Sequence, residues 1–245
     1  TPDSFSDGGK FLSTDLAVSK AKELAEAGAN FIDIGGESTR PGALEIPSKE
    51  EIRRIEPVIK ELRGITSAIS VDTRKADVAK VALASGAKLV NDVSGFQSDP
   101  KLFLLCAAQS VPVCVMHSKG LPNTMQNNPS YGNVVLDVYD FLETQIERLQ
   151  NAGLPRSQII ADPGIGFGKT TRHNLALLEK ISLFHGLGVA LMLGMSRKGF
   201  IGKVTGEKVA KNRVIGSVAA AMVGVSQGVQ VFRVHDVKET RQAFN

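Results

Sequence analysis

The chain has 245 residues, close to the roughly 250 of a (β/α)₈ barrel and enough to bury a core without disulfide or metal staples. A net charge of +4 without basic runs, no Trp and only two Tyr argue against nucleic-acid binding and suit an anionic small substrate. No apolar stretch reaches the roughly 18 residues of a membrane span, and no secretory leader is visible.

The chain opens on the turn-rich TPDSFSDGG without a methionine and ends in what reads as the first turns of a helix. The expectation is a fragment trimmed at both ends, with a strand lying before Thr1. Strands are expected over residues 31–35, 68–72, 89–93, 113–117, 159–162, 189–194 and 231–235, where short β-branched and aliphatic runs recur. Between them, helical periodicity marks residues 15–27, 49–62, 75–84, 134–152 and 213–227, and Gly28, Gly86 and Gly153 stand where left-handed caps are wanted. Cys106 and Cys114 match no metal spacing or disulfide framework and read as buried free thiols of a cytoplasmic protein. Strands apolar at nearly every position imply a parallel sheet covered on both faces. Seven strand–helix alternations with no linker imply one domain over residues 1–245, and the strand before Thr1 makes eight. The expected fold is a (β/α)₈ barrel, with a doubly wound open sheet as the alternative.

Polar residues gather at the carboxyl ends of these strands. The first runs into Glu37, Ser38, Thr39 and Arg40, the next into Asp72, Thr73 and Arg74. Asn91 and Asp92, His117, Asp162, then Ser196, Arg197 and Lys198, then Arg233 and His235 follow in turn. In a barrel those ends share one mouth, where active sites of this fold lie. Taken singly, Asp72 reads more readily as a helix N-cap than as a catalyst, but capping does not account for Arg or Lys at helix starts, which the dipole disfavours. Asp72, Asn91 and Asp162 suit the N–H donors of a flat heterocycle, while Arg40, Lys198, Arg233 and His235 suit phosphate oxygens. The segments TPDSFSDGG and GGESTRPG are rich in turn formers, as loops that close over a ligand are. DPGIGFGK lacks the Walker spacing of a phosphate loop, and its glycines lack the third position of a dinucleotide fingerprint.

Eight segments, TPDSFSDGG, GGESTRPGA, SVDTRK, the ND of LVNDVSG, VMHSKGLPNTMQ, DPGIGFGKT, SRKGFIG and RVHDV, resemble the dihydropteroate synthase family of pterin-binding barrels in order and spacing. Ser118 departs lightly from the family pattern. The resemblance implies condensation of a pterin pyrophosphate with p-aminobenzoate, by loss of pyrophosphate before attack of the arylamine, in a family that is the target of sulfonamides. It implies a pterin pocket of Asp72, Asn91, Met116, Asp162, Phe167, Lys198 and Arg233, with Arg233 stacking on the ring. Pyrophosphate would meet Thr39, Arg40, Arg233 and His235, and p-aminobenzoate would meet Phe5, Ser38, Thr39, Arg40, Pro41, Ser196 and Lys198. Asp72, Asp162, Lys198, Arg233 and His235 are the implied catalytic set. His117 and His235 are candidates for handling protons, although phosphate contact suits His235 better. Mg²⁺ is implied as cofactor, its Asn ligand lying before Thr1. A homodimer is implied through helices near the carboxyl end, where residues 216–225 suit either such a contact or core packing. A corrinoid methyltransferase would share the pterin pocket but has no use for the STRPG and RVHDV cations. A non-catalytic pterin binder should have lost part of that cluster.

Overall fold

Seven short runs of aliphatic and β-branched residues pair as one parallel sheet in the computed structural model, which describes residues 1, 13–40, 42–120 and 124–245. In chain order they are β1 (Phe31–Gly35), β2 (Ala68–Asp72), β3 (Leu89–Asp92), β4 (Val113–Met116), β5 (Ile159–Asp162), β6 (Ala190–Leu193) and β7 (Val231–Phe232). Each strand pairs in parallel with the next, so the order never reverses as it does at the switch point of a doubly wound sheet. The sheet curls far enough that Arg233, just past β7, touches Asp33 on β1 at 2.6 Å. No ladder joins β1 to β7 among the described residues, so the barrel is open along one seam.

Side-chain alternation divides each strand between two environments. Ile32, Ile69, Val71, Val90, Val113, Val115, Ile159, Ala161, Leu191 and Leu193 face outward into the main core beneath the helices. Leu89, Cys114, Met192, Ile160 and Val231 face inward and form a second apolar cluster that floors the barrel.

The outer layer consists of α1 (Thr14–Glu26), α2 (Ser48–Glu61), α3 (Ala76–Ser85), α4 (Pro100–Ala108), α5 (Val134–Asn151), α6 (Thr171–Glu179), α7 (Gly199–Thr205), α8 (Val214–Ser226) and α9 (Val237–Phe244). Ser13 caps α1 through Leu16 N–H at 3.3 Å, and Asn133 caps α5. Asp99 caps α4 through Lys101 N–H while its other oxygen accepts from Ala76 N–H at 2.8 Å, locking the start of α3 to α4. Asp72 is therefore no helix cap; α3 begins after Lys75 and takes its acceptor from the following turn. The strand expected over 231–235 is shorter. Arg233 N–H still donates to Leu193 O at 2.9 Å, and only Val231–Phe232 is assigned as strand.

Candidate active site

The periodicity that floors the barrel also builds the site. Two residues beyond each inward-facing floor residue stands a group of the mouth: Leu89 leads to Asn91, Cys114 to Met116, Ile160 to Asp162, Met192 to Gly194 and Val231 to Arg233. A cavity of about 1370 Å³ opens there, lined by Asp33, Asp72, Asn91, Phe167, Lys198 and Arg233 among others. Ser38, Thr39, Arg40, Ser196 and His235 also line it. Met116 and Asp162 share the inward face but are buried, each 3% exposed, and are not among the residues that line the cavity.

The inner wall is a cluster of acceptors around one guanidinium. Arg233 Nε donates to Asp33 Oδ2 at 2.6 Å and Nη2 to Asp72 Oδ2 at 3.0 Å, while Asn91 Nδ2 donates to Asp33 Oδ2 at 3.1 Å. Asp33 Oδ1, Asp72 Oδ1 and Asn91 Oδ1 are buried and have no hydrogen-bond partner among the described residues. Burial lifts the Asp72 carboxyl to about 7 against the pull of Arg233, with Asp33 adding to the rise. Burial would depress Arg233, but Asp33 and Asp72 outweigh it and hold the guanidinium charged.

The glycine-rich 163–168 segment is a packing device. Gly164, Gly166 and Gly168 all have positive φ. A Cβ on Gly164 would lie 1.8 Å from His117 O and one on Gly168 2.4 Å from Lys119 O. Their absence lets the loops after β4 and β5 lie backbone to backbone. Tyr131 and Gln126 tie the same loops together, donating to Gly168 O and Gly166 O at 2.7 Å each. Folded this way, the segment holds Phe167 in the wall with Lys198 Nζ 4.5 Å from its ring centroid, and Lys198 donates to Ile165 O. Burial lowers Lys198 to about 8 although Asp162 opposes it. Asp162 is itself raised by burial against the pull of Lys198, its Oδ1 accepting from Gly164 N–H at 2.7 Å.

His117 is not placed to handle protons. Its Nδ1 lies 2.8 Å from Lys169 Nζ, and its ring packs edge-on against Phe141 at 4.9 Å. Burial depresses both partners, Lys169 well below the ordinary lysine range, so the imidazole is neutral and its Nδ1 is taken up by the lysine amine. Burial and the nearby Lys169 charge lower the His117 pKa to about 3.

At the rim, Glu37 lines the cavity, but its carboxylate is engaged in the frame. It accepts from Ile46 N–H at 2.9 Å, from Lys75 Nζ at 2.6 Å and from Arg74, anchoring the base of the loop that carries Ser38, Thr39 and Arg40. Burial alone would raise Glu37, but the bonds from Arg74 and Lys75 prevail and hold it low. Asp92 is likewise structural, accepting from Ser94 and Phe96 N–H. Ser196 Oγ meets His235 Nδ1 at 3.0 Å and sets that ring on the rim. Between them Arg197 has φ 59, an uncommon conformation for a side-chain-bearing residue. Its amide bonds Ser217 Oγ at 2.8 Å, its carbonyl accepts from Arg213 at 3.0 Å and its guanidinium pairs with Asp236. That fixed turn leads directly into Lys198.

Of the polar strand ends, Asp72, Asn91, Lys198, Arg233 and His235 thus converge on the cavity, whereas Glu37, Arg74, Asp92 and Arg197 hold its frame. Phe5 and Pro41 lie outside the described residues. Asp33 and Lys169 are absent from the sequence-derived site, yet both line the cavity.

The pterin binding enzyme family model matches residues 1–235. The chain is 43% identical to the dihydropteroate synthase of Synechocystis sp. over 243 residues, covering 99% of this chain and 84% of that one. It is similar to the structure of Yersinia pestis dihydropteroate synthase with a sulfonamide drug complex (TM-score 0.95, 44% identity, 99% and 88% of the two chains). It also resembles the Xanthomonas albilineans dihydropteroate synthase structure with 4-aminobenzoic acid (TM-score 0.91, 42% identity, 99% and 86%).

Proposed function

The chain belongs to the pterin-binding enzyme family and catalyses the dihydropteroate synthase reaction, and we propose that the cavity divides that reaction between an acceptor wall and a cationic rim. The enzyme is a transferase that condenses 6-hydroxymethyl-7,8-dihydropterin pyrophosphate with p-aminobenzoate, giving 7,8-dihydropteroate and pyrophosphate. The observation that carries the proposed division is the set of unpartnered buried oxygens on Asp33, Asp72 and Asn91. An unsatisfied buried acceptor costs about 1–3 kcal/mol, so this wall is stabilised by a flat ligand with several N–H donors on one edge. The 2-amino-4-oxo ring of a pterin is such a ligand. Met116 and Phe167 flank it, Asp162 and Lys198 complete its polar contacts, and Arg233 lies against its face.

The diphosphate projects to the rim, among Thr39, Arg40, Arg233 and His235. The bond between the pterin methylene and the diphosphate oxygen breaks, and the electron pair leaves with oxygen. Cations held at that oxygen stabilise the charge that grows there. The electron-rich pterin spreads the complementary positive charge, which Asp72 and Asp162 stabilise. The arylamine lone pair then bonds to the methylene carbon and the nitrogen sheds a proton. Ser38, Thr39, Arg40, Ser196 and Lys198 border the p-aminobenzoate position, with Phe5 and Pro41 as further members. No enzyme nucleophile takes part; burial pushes the Cys106 thiol up to about 12, and the Cys114 thiol is raised too. These free thiols suit a reducing compartment such as the cytoplasm, and no helix among the described residues is long and apolar enough to cross a membrane.

Among the described residues no group of three or more His, Cys, Asp or Glu side chains is placed to hold the implied Mg²⁺. The chain's own contribution to the leaving group among the described residues is its cations. Arg40→Ala is expected to lower kcat by on the order of a hundredfold while pterin pyrophosphate affinity changes only a few-fold, since that charge is needed as the bond breaks. Pyrophosphate release and equilibrium binding measure the two; wild-type values for both would refute the leaving-group role.

The homodimer is proposed through α8. Its thirteen residues carry no charge, and only Ser217, Ala221 and Gly224 are buried. Ile215 is 85% exposed, and Met222, Val223 and Val225 are also exposed. An apolar face of this kind is the mark of an interface. Ile215→Glu is expected to convert a dimer into a monomer in sedimentation, and a wild-type monomer would refute the assignment.

A further inference from the structure

The Asn91 amide has two orientations that differ in what they offer the cavity, one presenting an acceptor and the other a donor pair. In the observed one, Nδ2 faces Asp33 Oδ2 at 3.1 Å and Oδ1 is left buried without a partner. The reverse orientation would set the amide oxygen against a carboxylate oxygen that already accepts from Arg233 Nε, two acceptors facing each other. Asp33 thereby forbids the flip. Its own position is fixed as well, because the oxygen that receives the amide also receives Arg233 Nε at 2.6 Å, and Arg233 is braced from the other side by Asp72 at 3.0 Å. Asp33 lies on β1, Asn91 on β3 and Arg233 just past β7, so the arrangement ties both edges of the open barrel to its interior.

We infer that Asp33 is a specificity-determining residue, which fixes the Asn91 amide so that this part of the wall accepts hydrogen bonds and cannot donate them. The inference rests on the pterin reading of the cavity and deepens it. The wall then selects a ring edge bearing donors and rejects one that presents a carbonyl at the same place. Rejection is strong in such cases because a mismatched ring leaves buried polar atoms on both partners unpaired.

The probes are 6-hydroxymethylpterin, with a 2-amino group, and 6-hydroxymethyllumazine, which has a 2-oxo group in its place. Binding of each to the full-length enzyme is measured by fluorescence titration, and the ratio of the two dissociation constants is the readout. The wild type is expected to favour the pterin. Asp33→Ala releases the amide to turn either way, so the ratio is expected to fall by about tenfold or more. Adding Asn91→Asp in that background installs a group that only accepts once ionised, so the titrations are run above about pH 8, and is expected to restore the preference although Asp33 and its bond to Arg233 remain missing. A merely structural role for Asp33 would weaken both ligands together and would not be repaired by Asn91→Asp. An unchanged ratio in Asp33→Ala, or no recovery in the double variant, overturns the inference. Should Asp33→Ala fail to fold, the double variant decides alone, by keeping or losing the wild-type preference. A wild type that does not discriminate between the probes would instead overturn the pterin reading of the wall.

Discussion

Asp72→Asn is expected to weaken pterin pyrophosphate binding strongly and, above pH 7, to raise the melting temperature of the apoenzyme. The first effect follows from its place on the acceptor wall. An amide cannot keep both the Arg233 contact and an acceptor toward the ligand without turning its N–H₂ onto one of them, so binding should fall by on the order of a hundredfold. The second follows from the same burial. The folded-state pKa of about 7 lies above the ordinary aspartate value of 3.8, so the native state holds this proton more tightly than the unfolded chain does. The stability contributed by Asp72 is complete below about pH 4 and is lost as pH rises through about 7. Asparagine removes that loss. Thermal melts should therefore separate wild type and variant at about pH 8, by about 2–4 °C for each kcal/mol recovered, and bring them together near pH 4. A variant less stable than wild type at that higher pH would show that the Arg233 contact outweighs the burial of charge.

This opposition explains why the site is built on a barrel floor. Three unpartnered acceptors around one arginine are an unstable arrangement when nothing is bound, and they persist because the sheet overdetermines them. In strand register Gly35 lies opposite Asp72 and Asp72 opposite Asn91, so the backbone carrying carboxylate and amide cannot withdraw without breaking a ladder.

The barrel is legible in the sequence because hydrophobic runs and helical periods alternate without a linker, and each structural strand falls within or on its expected range. What escapes has physical reasons. The helix Pro100–Ala108 reads as a plain apolar run, because PKLFLLCAA shows little amphipathic contrast; its only marks are the Asp99 cap and Pro100 in the first turn. The helix Thr171–Glu179 starts with a capping box in which His173 takes the place usually held by Glu or Gln. The site is legible where it sits at strand ends, as with Asp72, Asn91, Lys198 and Arg233. Asp33 escapes because it lies in mid-strand, opposite Ser70 and two residues below the strand end, and joins the site through Arg233 and Asn91. Its signal is a lone carboxylate inside FIDIG, on the face that alternation turns inward. His117 misleads for the opposite reason: it stands at a strand end, but Lys169, fifty-two residues later, claims its ring nitrogen.

The largest loss of stability is expected from Gly164→Ala, and it separates backbone conformation from backbone approach. Gly164 has φ 70, where an added Cβ is strained, and that Cβ would also stand 1.8 Å from His117 O. Gly153 has φ 101 but nothing within 4 Å of its Cβ position. Conformational strain alone costs about 1 kcal/mol, so Gly153→Ala should stay folded with a modest shift of its urea midpoint. At Gly164 the loops after β4 and β5 must part, which also breaks the Asp162 contact to Gly164 N–H and the platform of Phe167 and Lys198. A penalty of about 4 kcal/mol or more, with loss of soluble or active enzyme, is expected there. Equal midpoints for the two variants would mean that the tight approach of these loops is not what the glycine run is for. The order expected from the geometry is Gly164→Ala far below Gly153→Ala, with Gly168→Ala, whose Cβ would meet Lys119 O at 2.4 Å, falling between them.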